Sequence, residues 1–244
     1  MESDCRMAGC NVSMKHIGAL PQLPLVDEFY RRLTFRKRRA TQSLILTILL
    51  WYVLQIGTLY LGWTVEQWQW LFTTSSFPAL SPGLVFAIIS HDLPPNVTHL
   101  LGNVAFLWLF AGESEQHMRS REVLGFFLAT AIVAVTVSTA VTGQSTLGAS
   151  GGALAFVSFY STHLCLAHQD SLDLDVGDYN WGEPAALRAY WQVALLLLPI
   201  GFIMFMLGQS IGLFPVGRAD VVGHLVGITL GAGYAIIRDR WVTG

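Results

Sequence analysis

What the chain has least of is charge. Asp, Glu, Lys and Arg make up 12% of its 244 residues, about half of the roughly 25% that soluble domains carry. So few charges cannot clothe a water-exposed surface in the usual way, and a soluble globular domain is nearly excluded. Disorder is excluded by the opposite excess, since 53% of the residues are hydrophobic. The net charge of −2 gives no electrostatic case for nucleic acid. Only three cysteines occur, Cys5, Cys10 and Cys165, which is no disulfide framework. No His-Glu-x-x-His, Walker or dinucleotide glycine motif occurs. The expectation is therefore an integral membrane protein without metal or cofactor.

Apolar runs supply the architecture. At roughly 20 residues per helical span, six spans are expected, at 43–63, 97–111, 122–142, 149–167, 189–207 and 220–237. Residues 1–42 form a polar tail, and 43–240 a single six-span membrane domain. The apolar run after Thr41 starts too late for a signal peptide and reads as a retained first span. Residues 64–96 are apolar in places but broken by Pro and Gly, with Trp68, Trp70 and Phe72 as aromatic anchors. They suit an interfacial or re-entrant loop better than a span. With both termini cytoplasmic, thirteen of the fourteen Lys and Arg fall inside and only Arg218 outside. The location expected is a cell membrane, crossed several times.

Polar groups within spans are costly, so each is a functional candidate. Spans two, four and six all run outside to inside on this topology. At 1.5 Å per residue, His99, Asn103, Ser150 and His224 then share one shallow outer depth. Ser150 lies in Gly148-Ala149-Ser150-Gly151. A serine at a Gly-flanked helix start offers an accessible hydroxyl beside unpaired backbone N–H groups, which can stabilise an oxyanion. His224 is a candidate general base. Gly223, Gly227 and Gly231 recur every four residues and, with Gly151, would let two helices approach closely. His99 and Asn103, four apart on one helix face, can both donate to an oxyanion. Each motif alone has a blander reading as packing or an interhelical contact. Asp220 reads as a helix cap, His91 as a loop residue, and Glu113 and Glu115 as structural residues at the inner end of span two.

The series His99-x-x-x-Asn103, Gly148-Ala149-Ser150-Gly151 and Gly223-His224-Leu225-Val226-Gly227-x-x-x-Gly231 resembles the rhomboid family of intramembrane serine proteases. The resemblance runs from about Trp68 to Gly231. It implies an all-α, six-helix bundle with an outward-opening aqueous cavity and a Ser150–His224 dyad. His99, Asn103 and the Ser150 backbone N–H would form the oxyanion hole, and Glu115 would be structural. The substrates implied are transmembrane proteins, cleaved within or beside their helices. The chain departs from the family pattern at Trp68-Gln69, where Trp-Arg is usual, and at Gly223, where Ala is usual. Two other classes fit less well. A non-proteolytic binder of client transmembrane helices would have lost the serine or histidine. A small-solute channel or transporter would carry polar residues through the whole membrane depth.

Overall fold

The computed structural model describes residues 38–74, 81–93, 97–167 and 220–243, together with positions 197, 200, 201, 204 and 205. The tail before Arg38, the acidic segment 168–188 and most of the fifth expected span lie outside the described residues. The five isolated positions, all within that expected span, are helical.

The described residues build helices and turns. Helix α1 is Arg39–Tyr60, α2 Val65–Phe72 and α3 Gly83–Phe86, the last running into a 3-10 turn at Ala87–Ile89. Helix α4, Val97–Phe106, continues through a π-helical stretch at Leu107–Ala111 into Gly112–Ser114. Helix α5 is Ser120–Thr142, α6 Ser150–Ala167 and α7 Val221–Thr243. Three of these, α1, α5 and Val221–Asp239 of α7, are long and apolar enough to cross a membrane.

Local chemistry sets the ends. Thr64 Oγ1 accepts from the Gln67 N–H while Gln67 Oε1 accepts from the Thr64 N–H, a capping box that starts α2. Helix α5 stops at Gly143, whose φ of 66° is the left-handed conformation that ends helices. Helix α1 starts a turn earlier than the apolar run implies, because its first amides are capped from far along the chain. Glu115 Oε1 accepts from the Ala40 N–H at 2.9 Å, and Glu115 Oε2 from the Thr41 N–H at 3.0 Å. Arg39 to Gln42 are thus helix, not tail. The segment 64–96 holds only short helices in its described parts, as its Pro and Gly content predicts. Trp51 of α1 stacks on Phe86 at 4.7 Å and meets Phe72 edge-on at 5.5 Å, which fastens this segment to the first helix.

Helix α6 is the centre. Every residue from Gly151 to Ser161 is buried, so the helix has no polar face to show. Its closest packing is with α7, then with α5 and the π-helical part of α4. Its small residues suit that place, whereas α1 turns Leu46, Leu50 and Val53 outward, each more than half exposed. An apolar rim around a packed small-residue centre is what a lipid solvent favours.

The contacts also set directions. Gly227 lies against Gly151, and Gly231 against Ala155, so α6 and α7 run parallel. Ser138 meets Asp220 at one end of α5, and Glu122 meets Arg238 at the other, so α5 runs against α7. His99 of α4 lies against Gly148, just before α6 begins. The starts of α4, α6 and α7 therefore share one end of the molecule.

Candidate active site

Ser150 is the first residue of α6 and is partly exposed. The turn before it is made by Gly148, whose φ of 129° lies where only glycine is comfortable. A Cβ there would also come 3.0 Å from His99 Cε1, 3.2 Å from His99 Nε2 and 3.5 Å from Ser150 Oγ. One missing methyl group thus lets the His99 ring and the Ser150 hydroxyl share a space. The Gly148 N–H donates to Ala87 O at 2.8 Å, which pins this turn to the 3-10 segment.

The second wall is α7. A Cβ on Gly227 would stand 2.1 Å from Gly151 O, and one on Gly231 2.1 Å from both Ala155 O and Ser158 Oγ. Gly151 itself has Ala134 Cβ 2.4 Å from its missing side chain. Two helix backbones touch directly here, one residue from Ser150 and three from His224. His224 is buried, and it lies within charge-interaction range of His99 and of Asp220. His99, Ser150 and His224, from three separate helices, are thereby gathered at one end.

Asp220 acts as the cap its position suggests. Its Oδ1 accepts from the Gly223 N–H at 2.8 Å and from the Ser138 hydroxyl at 2.5 Å. Gly223 is needed for this arrangement, since a Cβ would fall 2.4 Å from Asp220 Oδ2.

Asn103 is buried one turn below His99. Its Nδ2 lies 3.0 Å from His91 Nε2. His91 is the residue that sequence reasoning missed. It is in a loop, as expected, but it is fully buried, with its ring 5.3 Å from that of His99. Burial pushes its imidazole down to about 3, with His99 adding to the effect and the Ile89 carbonyl and Asp92 opposing it. The exposed side of His99 carries Asp92, whose Oδ2 is 3.3 Å from His99 Nδ1.

Glu115 is at the opposite end. Besides capping α1 it accepts from the Thr41 and Ser120 hydroxyls at 2.9 and 3.1 Å. Glu113 beside it pairs with Arg38 Nη2 at 2.5 Å. His163, whose ring is 4.7 Å from that of His117, is also at this end, about 20 Å along α6 from Ser150.

The family model described as the Rhomboid domain matches residues 83–240. That range takes in His91, His99, Asn103, Glu115, Ser150 and His224, with Gly148, Gly151, Gly223, Gly227 and Gly231. No curated protein matches the chain.

Proposed function

The chain belongs to the rhomboid family, and from that premise we propose that it is an intramembrane serine endopeptidase that cleaves transmembrane proteins within or beside their helices. The observation that carries this reading is the space at Gly148, which the Ser150 hydroxyl and the His99 ring both border at the start of α6. A nucleophile beside a potential oxyanion donor is the arrangement acyl transfer needs.

In the proposed reaction Ser150 Oγ attacks the scissile carbonyl while His224 removes the hydroxyl proton. The oxygen of the tetrahedral intermediate is held by the Ser150 backbone N–H, Asn103 Nδ2 and His99. Collapse of the intermediate expels the amine, which takes its proton from His224. Water, activated by the same imidazole, then releases the acyl-enzyme. The proposed reaction uses a dyad without a required acid, with Asp220 Oδ1 accepting from Gly223 and Ser138 as a cap. A substrate helix must unwind to present its carbonyl, so substrates with small or helix-breaking residues near their outer end are favoured. The fold proposed around this site is six spans with both termini cytoplasmic, in a cell membrane.

The test is a fluorophosphonate probe combined with a model membrane substrate. Labelling at Ser150 and at no other serine, with cleavage lost in Ser150→Ala and His224→Ala, is the expected result. Undiminished cleavage by Ser150→Ala overturns the assignment.

A further inference from the structure

We propose that Gln55 and His91 form a relay that orients Asn103, making Gln55 on the first helix a positioning residue for the oxyanion hole. This rests on the protease reading above.

Gln55 lies in the apolar run of α1 and is fully buried. An amide in that place is costly unless its donors and acceptor are satisfied. Both ends of this one grip the same residue. Gln55 Oε1 accepts from the His91 N–H at 3.0 Å, and Gln55 Nε2 donates to His91 O at 3.2 Å. A single side chain thus satisfies the main-chain donor and acceptor of His91 and holds its backbone. One turn earlier on the same face of α1, Trp51 Nε1 donates to Ser90 Oγ at 2.9 Å. The first helix therefore holds the loop at two successive residues.

The ring of His91 is fixed in its turn. Nδ1 lies 3.2 Å from Ile89 O, which can only accept, so Nδ1 carries the hydrogen. In the neutral ring Nε2 is then bare and accepts from Asn103 Nδ2 at 3.0 Å. This decides which way the Asn103 amide faces. With Nδ2 turned toward His91, the second Nδ2 hydrogen is left for an oxyanion. Without His91 the amide can turn over and present Oδ1, which repels that charge.

A double-mutant cycle on cleavage of a model transmembrane substrate tests the relay. Gln55→Met keeps length and volume and removes both bonds. The expected loss is about 10- to 100-fold in kcat with KM within about twofold, as for a weakened oxyanion donor. In the Asn103→Ala background the same substitution should cost less than about twofold, because the group it orients is gone. A purely structural role for Gln55 predicts equal losses in both backgrounds, and that result, or no loss in either, overturns the relay. Should Gln55→Met fail to fold, His91 carries the test. His91→Leu should lose activity, and His91→Gln, whose Oε1 can accept from Asn103, should recover most of it; equal activity in the two overturns the relay. Ser150→Ala runs alongside throughout. If cleavage does not depend on Ser150, the protease reading falls; if it does and the cycle is additive, only the relay falls.

Discussion

At the scale of single residues, a buried neutral histidine makes the fold sensitive to acid. An unfolded His91 titrates near 6.5, whereas burial holds the folded one down to about 3. Above pH 6.5 the ring is neutral in both states and contributes no pH dependence. Between 6.5 and about 3 the unfolded chain binds a proton that the folded one refuses, so stability falls as pH falls, by at most about 1.4 kcal/mol per unit. Protonation would also give Nε2 a hydrogen and end its acceptance from Asn103. Unfolding midpoints at pH 7 and pH 5 measure this. His91→Gln should flatten the acid slope by about one proton, and equal slopes with and without the histidine would show that it is not held neutral. The same residue marks the limit of reading from sequence. His99 and Asn103 were legible because four-residue spacing puts them on one helix face. His91 reaches Asn103 through the fold of residues 81–93 and through Gln55, 36 positions away, and no periodic spacing connects them. Gln55 was hidden too, since an uncharged amide in an apolar span does not interrupt it.

Among helices, the decisive feature is missing side chains. Gly227 and Gly231 lie where a Cβ would enter the carbonyl oxygens of Gly151 and Ala155. Their four-residue spacing made this face legible in advance, as did the small residues after Ser150. The position of α6 was less plain, because a helix enclosed on all sides has no amphipathic pattern to declare its neighbours. Gly233, two residues beyond Gly231, is a natural control: a Cβ there meets nothing within 4 Å. Gly227→Ala forces two backbones apart and should destabilise by about 1–3 kcal/mol, with loss of cleavage as Ser150 and His224 separate. Gly233→Ala should leave the unfolding midpoint unchanged or raise it, since alanine favours a helix by about 1 kcal/mol over glycine. Unfolding midpoints and cleavage rates in the same detergent compare the two. Equal effects would mean that the α6–α7 backbone contact does not hold the site together.

At the scale of the molecule, the charged and imidazole side chains of the described residues fall into two layers separated by apolar packing. One end holds His91, His99, Asn103, Ser150, His224 and Asp220. The other is held by carboxylates and guanidinium groups: Glu113 with Arg38, Glu115 on the start of α1, and Glu122 accepting from Tyr234 Oη and Arg238 Nε, both at 2.8 Å. The arginines among the described residues thus gather opposite the candidate active site, in the sense required if that site opens outward and basic residues stay inside. The thirteen-to-one partition of Lys and Arg assumes six alternating spans, and the contacts between α4, α5, α6 and α7 bear on the relative directions of four of them. Which end faces the cytoplasm is a separate matter, and two exposed positions decide it. Ser145 lies in the turn before α6, and Gln116 in the turn between α4 and α5 at the arginine-rich end. With Cys5, Cys10 and Cys165 replaced by serine, Ser145→Cys should react with a membrane-impermeant maleimide in intact cells. Gln116→Cys should react only after permeabilisation. The reverse pattern would place Ser150 on the cytoplasmic side and move the expected cleavage site to the inner end of substrate helices.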